Sequence, residues 1–183
     1  MRNHEHDAYD VRSVTRENWR DFESFFESIG TLNYCWCMAW RMSKEELKSN
    51  DAKNRKELIK NRIFRDIPIG LLAYSEHQVI AWCSVAPRDT FYGLGGVEDI
   101  EKVWSITCFF VKREYRKDGL VSYLIEKAKE YAKAKGAQYL EAYPVDQDSP
   151  SYRHMGFVQS FEKAGFIFRK KAGTRRNVML FTL

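Results

Sequence analysis

Apolar residues recur along this chain at two periods, and the changes of period mark out its elements. Trp19, Phe22, Phe25, Phe26 and Ile29 fall three or four residues apart. That is the spacing of one helix face and predicts a helix over Arg16 to Ile29. Thr15 stands at its N-cap and Gly30 at its end. Ser43 to about Arg65 reads as a mostly polar helical region, broken near Ser49-Asn50-Asp51, with Leu47, Leu58, Ile59, Ile63 and Phe64 as its apolar contacts. Leu120, Val121, Leu124, Ile125, Ala128 and Ala132 repeat the helical spacing until Gly136. A last helix is expected from Ser149-Pro150 to Ala164, ahead of Gly165.

Strand-like segments lie between these helices. They are Ala8 to Val14, Ile69 to Tyr74, Val79 to Val85, Val103 to Val111, Gln138 to Val145, Phe166 to Lys171 and Asn177 to Leu183. Ile69 to Val85 forms a hairpin through Ser75-Glu76-His77-Gln78 and closes at Pro87. Arg88 to Asp99, with three glycines, reads as a loop. Val103 to Val111 is continuously apolar and rich in β-branched and aromatic residues, as a central strand should be. The order is β-α-α-β-β-β-α-β-α-β-β, an α/β (α+β) chain without repeats or linkers, and residues 1–183 are expected to form one domain.

Composition narrows the function classes. The 183 residues are 44% hydrophobic and 30% charged, which suits a globular domain with a substantial core. No apolar run approaches the roughly 20 residues that cross a bilayer, so no membrane partner is expected. The polar start, MRNHEHDAYD, lacks a signal-peptide core, and a cytoplasmic location is the default. The net charge of +5 is spread over helix faces and interleaved with acids. A small polyanion fits it better than a nucleic acid, because arginine-rich arms, zinc-finger spacing and RNP-type aromatics are lacking. Cys35-Trp36-Cys37 is a lone C-x-C, and Cys83 and Cys108 sit in apolar strands, so no metal site is expected.

The stretch from Val103 to Gly136 carries the chemistry. A buried strand runs into Arg116-Lys117-Asp118-Gly119-Leu120-Val121, which opens a helix. Gly119 lets the backbone approach a ligand closely, and the free N–H groups of a first helical turn point at phosphate oxygens. Arg116 and Lys117 add positive charge, so the turn is a candidate diphosphate site.

At this point the chain resembles the GNAT acetyltransferase superfamily. Its R/Q-x-x-G-x-G/A signature is matched at Arg116 and Gly119, five and eight residues after Val111, with Val121 in place of the usual small residue. Phe161-Glu162-Lys163-Ala164-Gly165-Phe166 is similar to the family's Y-E-K-x-G-F helix end. Cys35 to Arg41 (CWCMAWR) and Trp82 to Arg88 (WCSVAPR) are similar to segments of one subgroup. The resemblance covers nearly the whole chain. It implies a mixed, mostly antiparallel, twisted sheet flanked by helices, and acetyl-CoA as co-substrate. It places the pantetheine along the backbone of Phe109, Phe110 and Val111, and the pyrophosphate on Arg116, Lys117, Asp118, Gly119, Leu120, Val121 and Ser122. It also implies an acetyltransferase whose acceptor is an amine on a small molecule or a peptide; a homodimer is compatible with it.

The family's acid and base do not carry over. Its tyrosine acid falls at Phe161, and a carboxylate near the start of the central strand falls at Ser105. Tyr152, Ser160 and Tyr143 are substitute acids. Glu98, Asp99, Glu101, Glu141 and Asp146 are substitute bases. Glu141 and Tyr143 share one strand face by period two and are preferred as the catalytic pair. Trp36, Trp40 and Arg41 are candidates for an acceptor pocket, with Arg41 placed for a carboxylate. A nucleophilic Cys35 or Cys37 would need a partner from elsewhere, for which His154 is available. The missing acid and base leave a second reading open, a non-catalytic acyl-CoA sensor.

Overall fold

The computed structural model describes residues 9–116 and 119–183; of 31–33 it describes only the backbone. Seven strands form one sheet: β1 (Asp10–Ser13), β2 (Leu71–Ser75), β3 (Gln78–Pro87), β4 (Val103–Val111), β5 (Tyr139–Ala142), β6 (Ile167–Ala172) and β7 (Arg176–Thr182). Their order is β1-β2-β3-β4-β5-β7-β6. Every neighbouring pair is antiparallel except β4 with β5. The sheet is thus mixed and mostly antiparallel, as expected.

Both faces are covered, and the period-two pattern decides which strand residues go where. Leu71, Ala73, Ala81, Cys83 and Val85 pack with α4 (Leu120–Ala134), which buries Leu120, Leu124, Ile125, Ala128 and Ala132. Leu72, Tyr74, Val79 and Trp82 face the other way, onto α1 (Trp19–Ser28) and α3 (Ala52–Phe64). Aromatic rings fill that second layer. Phe22 stacks on Phe26 at 4.3 Å, Phe26 stacks on Trp36 at 5.5 Å, and both phenylalanines meet the Trp82 edge. Such pairs contribute about 0.5–1.5 kcal/mol each beyond the area they bury.

Local chemistry sets the ends. Asp51 caps α3 by accepting from the Asn54 N–H at 2.8 Å, which explains the break expected at Ser49-Asn50-Asp51. Glu76 and His77 both adopt positive φ, so β2 and β3 meet in the two-residue turn whose twist suits a hairpin.

Three expected boundaries move. The first helix starts at Trp19, with Asn18 rather than Thr15 at its N-cap. Gly30 does not stop the helical path: α2 (Gly30–Cys35) follows at once and absorbs part of the aromatic-cysteine segment. The helix expected from Pro150 shrinks to α5 (Val158–Lys163). Tyr152 and Gly156 have positive φ, and the Val145 N–H and C=O both bond the 156–158 backbone, which outweighs helix propensity there.

β4 and β5 pair only from Val103↔Tyr139 to Ile106↔Ala142 and then diverge. A bulge in β4 falls at the same level. Ser84 pairs with Cys108 and Val85 with Ile106, so Thr107 is the extra residue. The loop before α5 fills the gap lower down: a Cβ on Gly156 would lie 2.9 Å from Phe161 and 3.5 Å from Phe109.

Gly70 is the tightest backbone approach in the sheet. Its φ is +152°, and a Cβ there would strike the Cys83 carbonyl oxygen and lie 2.5 Å from the Trp82 ring. Gly70→Ala should cost about 3 kcal/mol from overpacking plus backbone strain. Gly136→Ala, with φ +84° and open space around it, should cost only about 1 kcal/mol. Urea denaturation of both variants checks the ranking; equal costs would contradict it.

Candidate active site

The site begins where β4 loses its neighbour. Among the described residues no strand pairs with Thr107 to Val111 on the β5 side, so that edge keeps backbone donors and acceptors for another partner. The Phe109 and Val111 side chains are buried, as core strand residues should be, while Phe110 is half-buried against Phe25. Only backbone is offered along this edge, which tolerates apolar side chains at all three positions.

The chain then turns through Arg113–Tyr115. Arg116 folds back so that its Nε donates to the Val111 carbonyl at 2.9 Å, with the guanidinium 5.7 Å from the Phe110 ring. Lys117 and Asp118 lie outside the described residues. Gly119 has φ +75° and serves as N-cap of α4, without any side-chain capping bond. Among the described residues no side chain caps the amides of Leu120, Val121 and Ser122, and the helix dipole adds positive potential there. Leu120 is buried, Val121 packs on the core below, and Ser122 is exposed. Val121 in place of a smaller residue is thus taken up by the core and does not block the turn. A cavity of about 260 Å³ opens beside it, lined by Ser122, Tyr123, Glu126, Ser160, Lys163 and Ala164. Strand edge, arginine and uncapped helix start fit a pantetheine diphosphate.

Glu141, paired with Ser105, and Tyr143 stand on either side of the last β4–β5 pair. The Tyr143 hydroxyl donates to Glu141 Oε2 at 2.6 Å and lies 3.5 Å from Ser105 Oγ. Glu141 Oε1 accepts from the Val97 N–H at 2.6 Å and from Arg88 Nη1 at 3.4 Å. Arg88 also donates to the carbonyls of Val97 and Ile100, so the carboxylate and the guanidinium together pin the 96–100 loop. Gly96 sits so close that a Cβ would strike the Glu141 carboxylate. Burial, the Glu141 charge and its hydrogen bond push the Tyr143 phenol well above its ordinary range, so it stays a donor at all working pH. Neither side chain has any exposed surface. The structure brings the expected pair together, under a loop that separates it from solvent.

The other candidates scatter. Glu98, Asp99 and Glu101 are exposed, with Glu98 paired to Lys170. Asp146 accepts from Asn177. Trp36 is enclosed in the aromatic layer and Arg41 is wholly buried, so neither presents surface to a ligand. Trp40 does remain open. Its ring lies 6.3 Å from Tyr152, and the Arg176 guanidinium sits 4.4 Å above it. Arg176 was invisible in the sequence: it opens β7 just after a basic turn, and only the β6–β7 register carries it next to Trp40.

These features define an α/β protein whose sheet splits beside an arginine turn and a helix start. A sequence model of the acetyltransferase (GNAT) family matches residues 13–157, and the chain belongs to that family. Members use acetyl-CoA as co-substrate. Among solved structures, the PaiA N-acetyltransferase of Thermoplasma acidophilum in complex with coenzyme A is similar at 19% identity and TM-score 0.60, covering 96% of this chain and 99% of that one. YncA from Salmonella typhimurium, a putative acetyltransferase with acetyl-CoA, is similar at 14% identity and TM-score 0.59, covering 96% and 94%. The ribosomal-protein-alanine N-acetyltransferase of Brucella melitensis is similar at 17% identity and TM-score 0.54, covering 95% and 99%. No curated protein sequence matches. At these identities the structures establish the fold. Among the described residues no helix is long and apolar enough to cross a membrane, and no group of histidines, cysteines and acids could hold a metal.

Removing the buried carboxylate should be costly. Glu141→Ala takes the buried carboxylate acceptor from Tyr143, the Val97 amide and Arg88, which costs about 3 kcal/mol or more. Glu141→Gln, which still accepts a hydrogen bond, should cost less. Chemical denaturation measures both; an alanine variant as stable as the parent would show that the network carries no load.

Proposed function

We propose that this chain transfers an acetyl group from acetyl-CoA to a primary amine on a small molecule or a peptide. The observation that carries the reading is the continuity of three features: the edge of β4 from Thr107 to Val111, which no strand among the described residues pairs on the β5 side, the Arg116 turn, and the start of α4 at Gly119, which has no side chain to cap it. In this reading the β4 edge bonds the pantetheine amides as an added strand would. Arg116 and the α4 amides take the pyrophosphate. The thioester then lies near the bulge at Thr107, where β4 and β5 part. The face around Trp40 and Tyr152 is on hand for the acceptor, with the buried Arg176 guanidinium packed against the Trp40 ring. Binding both partners at the split supplies much of the rate by proximity. Direct proton transfer by Glu141 or Tyr143 would require the 96–97 loop to open; with the loop closed, the pair positions β5.

One observation favours a second reading. Phe161, Ser105, Glu141 and Tyr143 are all fully buried, so the positions most expected to move protons are closed. A non-catalytic acyl-CoA sensor would look the same. Thiol release from acetyl-CoA over a panel of small primary amines separates the two. Release well above the uncatalysed rate excludes the sensor.

Gly119→Glu should place a carboxylate among the phosphates and lower coenzyme A affinity about 100-fold or more. Arg116→Ala, which removes one charge-assisted contact, should lower it about 10-fold. Calorimetry with coenzyme A measures both. Unchanged affinity in Gly119→Glu would move the site elsewhere.

A further inference from the structure

Arg176 is a cation set beside the opening of the sheet, and no acid among the described residues answers it. It keeps 9% of its surface. Its guanidinium lies 4.4 Å from the Trp40 ring, 5.7 Å from that of Tyr152 and 5.9 Å from that of Tyr143. The Tyr143 hydroxyl is in turn 3.5 Å from Ser105, next to the last β4–β5 pair. Arg176 Nη1 donates to the Leu94 carbonyl at 3.1 Å. Among the described residues Nε and Nη2 have no partner, yet they are not sealed from solvent as the unpartnered nitrogens of Arg41 and Trp82 are. Nε and Nη2 form the edge of the planar fork that meets a carboxylate with two parallel bonds.

A buried guanidinium without a countercharge is unfavourable, and burial lowers the Arg176 pKa from its ordinary value. The acids on neighbouring elements are engaged elsewhere. Glu141 accepts from Tyr143, Val97 and Arg88. Asp146 accepts from Asn177 and lies 3.5 Å from Lys171. The negative charge that would complete Arg176 therefore has to come from outside the fold.

The surroundings are fixed in advance. The Tyr92 N–H donates to the Trp40 carbonyl at 2.7 Å, Leu94 of the same loop holds the guanidinium, and Val97 is tied to Glu141. Ring, cation and loop are thus in place before a ligand arrives, and little ordering is lost on binding. Trp40 is half-buried, and Tyr152, at φ +59°, is exposed. The His154 ring lies 6.3 Å from Tyr152 and extends the wall.

We propose that Arg176 binds a carboxylate of the acceptor, so that the amine acetylated belongs to a small amino acid. This rests on the function proposed above and narrows its acceptor class. The carboxylate takes Nε and Nη2, apolar parts of the acceptor rest on Trp40 and Tyr152, and the amine is directed to the thioester at the split. Two parallel bonds to a planar fork fix orientation as well as position, which is what an amine needs to attack in line. An acceptor without the carboxylate leaves the cation unpaired and is selected against.

The test follows thiol release from acetyl-CoA with glycine, β-alanine, leucine and phenylalanine, each as free acid and as primary amide, and with dipeptide amides. Acid and amide share one carbon chain and one amine and differ in the charge of the carboxyl end. The parent should favour at least one free acid over its amide about 30-fold in kcat/KM, mostly through KM. Arg176→Gln should bring that ratio close to one, and Arg176→Lys, which keeps the charge without the fork, should fall between. Calorimetry with coenzyme A shows that a variant is folded; if the glutamine variant is not, the parent ratio and Arg176→Lys carry the test. A parent that takes amides as fast as acids, or dipeptide amides faster than any free amino acid, overturns the proposal and leaves the acetyltransferase reading standing. A preference that survives in folded Arg176→Gln overturns the assignment to Arg176. A chain that binds coenzyme A and acetylates no amine overturns both.

Discussion

Everything the site does depends on two parallel strands that stop pairing. β4 and β5 share four residue pairs and then separate at Ile106 and Ala142. Backbone groups left unpaired in a protein interior are costly, so a sheet opens only where something else satisfies or covers the exposed edges. On the β5 side that task falls to Val145, which bridges to both Phe157 and Arg176. Gly156, free of a Cβ, lets the same loop press against Phe109 and Phe161. On the β4 side the Thr107–Val111 edge stays available, which is why a ligand that can pair like a strand belongs there.

Two charged networks flank the opening, and they differ in how they are satisfied. Below it, Glu141 is saturated: Tyr143, Val97 and Arg88 all donate to it, and the result is a rigid loop and a phenol locked in its protonated form. Beside it, Arg41 is left short of partners: its Nη2 bonds Ile69 and Ser84, while its Nε and Nη1 have none. Saturated buried networks give rigidity, whereas unpaired buried donors are costly.

Much of this was legible in the chain. The change of period from the Val103–Val111 run to the α4 face gave strand, turn and helix, and the Arg116–Gly119 spacing gave the anion site. Helix boundaries after Ile29 and Pro150 were lost because backbone ties to Val145 and a second helix at Gly30 are tertiary effects without local signature. Glu141 and Tyr143 could be placed together by period two, but their enclosure depends on Gly96 and Arg88, some fifty residues earlier in the chain. Arg41 read as an acceptor contact because sequence shows charge and hides depth.

The central claim is that the free β4 edge and the α4 start form one continuous binding surface. Amide hydrogen exchange with and without coenzyme A tests it most directly. The account predicts new protection at Thr107–Val111 and Leu120–Ser122 together, with β6 and α3 unchanged. Protection confined to other segments, or to one of these two without the other, would contradict it.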